Sequence, residues 1–144
     1  MADRIEVYTT VNDTKSEVML NHLKALNFNV NSAKVVEVYT INKDFKNHEL
    51  TQIAEILSNP ISQKYLINEH NKEHSFDFAL EIGYLPGVTD NIATTAKETI
   101  EDLFKSKFTE EESVHTSTLI FLSGELSEEI VENIGNAIAN NLIQ

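Results

Sequence analysis

The sequence predicts an α+β fold in which a unit of strand, helix, strand and helix occurs twice. This arrangement forms a mainly antiparallel sheet with four helices on one face. Segments in which apolar and polar residues alternate are followed by segments in which apolar residues recur every three or four positions, and this order repeats. The 144 residues include two prolines and no cysteine, and 41% are hydrophobic, which is typical of a globular chain.

Five segments carry strand patterns. Residues 4–10, 32–42 and 113–124 are rich in β-branched and aromatic residues, 64–68 is short and apolar, and 76–84 alternates clearly. The residues expected on one face of this last strand are Phe76, Phe78, Leu80 and Ile82.

Helical spacing predicts helices over 12–27, 47–60, 91–108 and 127–140, the second of them stopped by Pro60. The apolar stripes are Val18, Met19, His22, Leu23 and Leu26; Leu50, Ile53, Ala54 and Leu57; Ile92, Ala96, Ile100, Leu103 and Phe104; and Ile130, Ile134, Ala137 and Ile138.

The two halves also align residue by residue. With Asp13 placed over Asp90, Ser16 falls on Ala93 and Leu23 on Ile100, and further along 56–63 lies over 137–144. The constant offset within each block indicates a duplicated unit of about 70 residues.

Duplication predicts the domain organisation. Residues 1–68 form the first repeat, 69–75 a polar linker and 76–144 the second repeat. The sequence stops at Gln144, before a counterpart to the last strand of the first repeat. Either the chain was cut from a longer protein just before that strand, or the second copy has lost it. We expect the sheet edge left there to be open to another chain, including a second copy in a homodimer.

Charge and composition limit the function. The net charge of −12 disfavours nucleic acid as a partner, since phosphate binding depends on lysine and arginine. Acids exceed bases by thirteen to three in 75–144, against ten to eight in 1–74. Apolar runs too short for a bilayer span, and an N-terminus without a signal-peptide pattern, predict a cytoplasmic protein that does not bind membranes.

The segment "YLPGVTDNIA" joins the strand at 76–84 to the following helix. Pro86 and Gly87 suit a type I or type II turn, and Thr89 or Asp90 suits the helix N-cap. In the first half, where Asp13 or Thr14 is the expected cap, the corresponding turn has no Pro-Gly. Pro86, Gly87, Thr89 and Asp90 are therefore candidate contacts with a partner.

The stretch "FALEIGYLPGVTDNIATTAKETIEDL", with "VYTINKDF" and "ILSNPISQKYLIN", resembles the N-terminal domain of phosphoribosylformylglycinamidine synthase, a glutamine amidotransferase of purine synthesis. In that family a Pro-Gly-Val-x-Asp turn precedes a long helix, and a Leu-x-Asn-Pro-x-x-Gln segment precedes a strand. Each half is also similar to the small PurS subunit. One departure is that "DTKSE" lacks the glycine often found after the first aspartate.

The resemblance implies a tandem ferredoxin-like, or PurS-like, fold and a non-catalytic role. Its partners would be the synthetase core and the glutaminase domain or subunit, which it helps to join so that ammonia passes between them. The parent ligase would use ATP and Mg²⁺, whereas this chain would hold no cofactor, metal or catalytic residue. The alternative is a small-molecule sensor of tandem ferredoxin-like (ACT-like) repeats, and a free-standing enzyme is the weakest hypothesis.

Other polar clusters favour structural interpretations. His70 and His74 have a spacing that suits two metal ligands, but they lie in the expected linker. The acids at 110–112 lack the alternation and glycine of a calcium loop. A single glycine, Gly124, precedes Ser127, which we expect to cap the last helix rather than to hold a phosphate.

Overall fold

The computed structural model describes residues 2–69, 76–83 and 90–143. Within these residues the strands are β1 (Asp3–Thr9), β2 (Val30–Asn42), β3 (Gln63–Ile67), β4 (Phe78–Gly83) and β5 (Ser113–Gly124). The helices are α1 (Thr14–Ala25), α2 (Asn47–Leu57), α3 (Asn91–Phe104) and α4 (Glu128–Ile143).

The strands form one open antiparallel sheet in the order β3-β1-β2-β5-β4. The two longest strands, β2 and β5, pair at its centre, where Tyr39 lies opposite Thr116 and Glu37 opposite Thr118. The predicted α+β class, with an antiparallel sheet and four helices, is confirmed for the part of the chain that the structure describes.

Two hydrophobic cores lie between the helices and one face of the sheet. Successive residues of a strand point to opposite faces, so Val35, Tyr39 and Ile41 of β2 all point towards the helices. One core comprises Ile5, Val7, Tyr39, Ile41, Leu50, Ile53, Ala54, Ala93, Ala96, Ile100 and Val114. The other comprises Leu23, Val30, Val35, Ile120, Leu122, Ile134 and Ile138.

Each core draws on both halves of the sequence. In the first core, Ile53 of α2 belongs to the same cluster as Ile100 of α3. In the second, Leu23 of α1 clusters with Ile134 and Ile138 of α4. Burial of apolar surface therefore holds the halves together, because neither core is complete within one half.

The opposite face of the sheet carries a smaller apolar cluster. Its buried residues are Tyr8, Val36, Val38, Leu119 and Phe121, and Leu66 and Phe76 pack against them. We call this side of the sheet the open face, because the helices of the described residues pack on the other side.

One correction concerns Phe76, which does not share a strand face with Phe78. Strand β4 begins only at Phe78, and the Phe76 ring stacks on Phe121 of the open face with centroids 3.9 Å apart. The backbone leaves the regular ladder just before the strand, where the Asp77 amide donates to the Leu122 carbonyl. Alternation does not extend to a residue outside the ladder.

The stripe predicted on α1 is also partly wrong. Leu23 is fully buried and Met19 packs on the same core, but the side chains of Val18 and Leu26 are 60% and 44% exposed. The reason is the rotation of the helix: buried Ser16 faces β2 and accepts a hydrogen bond from the Val35 amide at 2.8 Å. Val18 and Leu26 consequently lie at the margin of the buried face.

The third helix differs from the prediction in length and in orientation. It ends at Phe104, because Lys105 takes a left-handed conformation with φ of 52°. The residues that face the sheet are Ala93, Ala96 and Ile100, whereas Ile92 and Leu103 are 53% and 37% exposed. The helical spacing predicts both on the buried stripe.

The predicted linker falls largely on residues 70–75, which lie outside the described residues. On the outer side of β1 lies β3, whereas no described strand pairs with the outer side of β4. Strand β4 is thus an edge strand within the described residues, and the proposed duplication and its boundaries stay predictions.

Candidate functional site

The predicted turn is described only at its end. Pro86, Gly87 and Thr89 lie outside the described residues, whereas Asp90 is described and is the N-cap of α3. Its Oδ1 accepts a hydrogen bond from the Ala93 amide at 2.9 Å. Of the two caps that the sequence left open, Asp90 is therefore the one in use.

Asp90 also fixes α3 to the sheet. The Thr116 amide of β5 donates to Asp90 Oδ2 at 2.9 Å, and the Thr116 hydroxyl lies 2.7 Å from the same oxygen and 2.8 Å from Oδ1. Both carboxylate oxygens are thus engaged within the protein, which gives Asp90 a structural role.

The Asp90 carboxylate acts on Tyr39, a buried residue at the centre of the sheet. Burial raises the pKa of the Tyr39 hydroxyl, and the negative charge of Asp90 raises it further. Tyr39 therefore remains a neutral hydroxyl at physiological pH.

Asp13 makes corresponding contacts in the first half. It caps α1 by accepting from the Ser16 amide at 3.2 Å and from the Ser16 hydroxyl at 2.6 Å. Lys34 of β2 donates to the same carboxylate and to the Thr9 carbonyl. Ser16 and Ala93 align in the sequence, and the backbone amide of each donates a hydrogen bond to the aspartate that caps its own helix.

Opposing effects determine the pKa of Asp13. Partial burial of the carboxyl raises its pKa, but hydrogen bonds from Lys34 and Ser16 and the Lys34 charge lower it by more. The net pKa lies below the ordinary value of 3.8. Asp13 is accordingly ionised at neutral pH and paired with Lys34.

An open cavity of about 580 Å³ lies between α1 and the start of α3, above the centre of the sheet. We call it the helix groove. Its volume is within the range of small-molecule sites in proteins. The residues that line it are Thr14, Lys15, Val18, Met19, His22, Val35, Glu37, Val38, Tyr39, Ile82, Gly83, Ile92, Thr116, Ser117 and Thr118.

Apolar side chains form the walls of the helix groove. Val18 and Met19 contribute from α1, Ile82 from β4 and Ile92 from α3. Val18 and Ile92 are more than half exposed although their helices bury other apolar residues. An apolar concave surface of this kind is a candidate for binding a ligand or partner.

Polar side chains also line the groove. Glu37 and Thr118, paired across β2 and β5, lie on its floor, and His22 lies on its α1 wall. Lys15 forms a salt bridge with Glu37, and the Lys15 side chain is 67% exposed. The groove therefore combines apolar walls with one carboxylate, that of Glu37, which the long and flexible Lys15 side chain covers only in part.

The remaining polar clusters of the sequence analysis do not join this groove. Within 2–69, 76–83 and 90–143, no group of three or more His, Asp or Glu side chains could hold a metal ion. His70 and His74 lie outside those residues. Glu112 accepts from the Thr109 amide and from Lys43, both at 2.9 Å, and these bonds lower its pKa and close the turn before β5.

Two further expectations concern Ser127 and the membrane. The Ser127 hydroxyl accepts from the Ile130 amide at 3.3 Å, so it caps α4 as predicted. In the described part of the chain, every helix is too short or too polar to cross a bilayer.

The helix groove is not apparent from the sequence. Its walls come from residues assigned to buried stripes, Val18 and Ile92 among them, and its floor from strands that are distant in sequence. One signal was available: both helices have more apolar positions than a single buried face requires.

Comparison with known proteins gives no assignment. No protein-family model matches the chain, and no curated protein matches it either.

Proposed function

We propose that this chain is a non-catalytic, N-terminal assembly domain of a phosphoribosylformylglycinamidine synthase, built from two PurS-like repeats. The proposal starts from the resemblance carried by "LPGVTDNIATTAKETIEDL" and "ILSNPISQKYLIN". The structural observation that supports it best is the composition of the cores, each of which draws on both halves. A pair of small subunits joined in one chain would have this arrangement.

The central strands and the caps agree with the same proposal. The second strand of each half, β2 and β5, pair side by side in the middle of the sheet. Asp13 and Asp90 begin the first helix of each half, and each ties that helix to one of these strands, through Lys34 and Thr116 respectively. Two copies of one ancestral unit around a common centre would repeat such contacts.

In this role the domain joins the synthetase core to the glutaminase, so that ammonia passes between them under cover. ATP and Mg²⁺ belong to the parent ligase, and this chain works in the cytoplasm without a cofactor of its own. The turn at Pro86, Gly87, Thr89 and Asp90 and the β4 edge are the expected contacts. An exposed strand edge can accept a strand from another chain, including a second copy.

A binding experiment tests the proposal. The purified chain is mixed separately with the synthetase core and with the cognate glutaminase, and complexes are measured by size-exclusion chromatography with light scattering. We expect a stable complex with at least one of them. Failure to bind either protein at concentrations of about 10 μM would overturn the assembly role. A specific interface of standard size typically has a Kd below that concentration.

The helix groove favours a second candidate function, an ACT-like small-molecule sensor. A cavity of about 580 Å³ with apolar walls and a few polar groups has the character of a ligand site. Thermal unfolding in the presence of single amino acids or purine metabolites separates the two functions. A ligand at 100 times its Kd stabilises the folded state by about 2.7 kcal/mol, whereas an assembly domain shows no such shift.

A further inference from the structure

Within the described residues, the helix groove lies between the pair of helices that covers one core and the pair that covers the other. Helices α2 and α3 cover one core and α1 and α4 cover the other. Between the two pairs of helices, Glu37 and Thr118 line the cavity, where a partner can contact them. A partner that enters here would contact α1, α3 and the central strands at once.

An exposed apolar stripe on α1 continues the groove beyond its cavity. Val18 and His22 line the cavity, and Leu26 follows at the next four-residue step on the same face. Val18 and Leu26 are 60% and 44% exposed. From Val18 to Leu26 alone the stripe is about 12 Å long.

The length and exposure of this stripe distinguish between occupants. A small molecule is held by a pocket that buries most of its surface, whereas a helix lies along an open groove and is anchored at every third or fourth residue. The stripe is open to solvent at Val18 and Leu26, and it extends past the cavity at Leu26. These features favour a helix.

Charge specifies the character of that helix. The Glu37 carboxylate on the groove floor is held by Lys15 in an exposed salt bridge, a kind of contact that contributes little free energy and is readily exchanged. The chain as a whole has a net charge of −12, which would attract a basic segment.

We propose that the helix groove binds an amphipathic helix of a partner protein, with its apolar face on Val18 and Ile92 and a lysine or arginine over Glu37. The inference rests on the proposed assembly function, in which the helix belongs to the synthetase core or to the glutaminase. It assigns the docking surface to the helix side of the sheet, where β4 contributes Ile82.

Designed peptides test the groove without a natural partner. The probe is a fluorescein-labelled helix of about 16 residues with leucines at heptad spacing and one arginine in the middle of the apolar face, and its counterpart has glutamate in place of that arginine. Fluorescence anisotropy at about 0.15 M salt measures binding. We expect the arginine peptide to bind about tenfold more tightly than the glutamate peptide.

Two variants locate the binding. Val18→Asp should weaken the arginine peptide about tenfold, because it places a charge on the apolar wall. Ile61→Asp is the matched control, since Ile61 is 88% exposed between α2 and β3 and does not line the groove. Glu37→Gln should remove most of the preference for arginine. Equal effects of Val18→Asp and Ile61→Asp would overturn the proposal, and circular dichroism checks that both variants are folded.

The same variants with the natural partners separate this inference from the assembly function. We expect Val18→Asp to lose the complex with the synthetase core or the glutaminase and Ile61→Asp to keep it. If both variants keep the complex, the groove is not the docking site although the assembly role stands. If the unmodified chain binds neither protein but the peptides bind as expected, the assembly role fails and the groove remains a helix-binding site.

Discussion

The guanidinium of Arg4 donates to both carboxylate oxygens of Glu81, from Nη1 to Oε2 at 3.0 Å and from Nη2 to Oε1 at 2.5 Å. Arg4 lies on β1 and Glu81 on β4, and two central strands separate them in the sheet. Glu6 accepts from Arg4 Nε at 3.0 Å, and the Ser117 hydroxyl donates to Glu81 at 2.7 Å. This network crosses the open face and joins the two halves.

We expect Glu81→Gln to lower the free energy of unfolding by about 0.5–1 kcal/mol, because both groups are partly exposed and the pair is bidentate. Urea unfolding at low salt measures the effect, which should shrink in about 1 M NaCl as screening weakens the wild-type ion pair. Glu110→Gln, a neutralisation in the loop before β5, is the control and should have no such effect. A salt-independent loss would indicate a packing role instead.

The Asp13 carboxylate should make stability depend on pH. A pKa that is lower in the folded than in the unfolded chain stabilises the fold above the unfolded value, and this contribution disappears as pH falls through the folded value. At pH 7, Asp13→Asn, which keeps a capping oxygen but loses the ion pair with Lys34, should cost about 1.5 kcal/mol.

This cost should diminish as the pH falls below 3.8, the ordinary pKa, because the carboxyl of the unfolded chain becomes protonated there. It should disappear once the pH is below the lower pKa of the folded chain, where the folded carboxyl is protonated too. Chemical unfolding of both proteins between pH 7 and pH 2.5 measures the difference. A difference that stays constant across that interval contradicts the assigned ion pair.

Two glycine substitutions should differ in their effect on the free energy of unfolding. Gly124 has φ of +148°, and a Cβ there would approach the Asn29 carbonyl oxygen to 2.4 Å. Gly124→Ala should therefore destabilise the fold by about 2–3 kcal/mol. Gly83→Ala meets its nearest described neighbour, Ser117 Cβ, at an ordinary 3.9 Å and should leave stability within about 0.5 kcal/mol of wild type. Thermal unfolding compares the two, and equal effects would refute the strain argument.

Asp90→Ala removes an N-cap and the acceptor of the Thr116 amide, and we expect a loss of about 2 kcal/mol. Thr116→Val, which removes only the hydroxyl donor, should cost less, at about 1 kcal/mol. Denaturant unfolding of both variants measures this order. If Asp90→Ala is as stable as wild type but loses partner binding, Asp90 acts as a contact residue and not as a structural cap.

The order of elements and the sheet class were predictable because strands and helices leave different apolar periods in sequence. Residues 32–42 and 113–124 stand out for this reason, and both lie in strands of nearly the predicted limits, β2 and β5. The cap of the last helix, Ser127, was also predictable, and those of α1 and α3 were predictable to within one residue, as Asp13 or Thr14 and Thr89 or Asp90.

Helix rotation and helix ends were not predictable in the same way. Val18, Leu26, Ile92 and Leu103 satisfy helical spacing yet remain exposed, because tertiary contacts such as that of Ser16 with β2 select which apolar residues face the sheet. Lys105, which ends α3 in a left-handed conformation, has no glycine or asparagine to signal it. The helix groove depends on these features and so remained hidden in the sequence.

The composition of the two cores bears on how this protein is made. Cleavage between residues 69 and 76 would yield two fragments, each holding only part of either apolar cluster and hence unable to reach a stable native state alone. Mixed together, the fragments should regain structure by complementing one another. During synthesis neither core can be completed until the second half of the chain has been made. We therefore expect this chain to fold late in its synthesis on the ribosome.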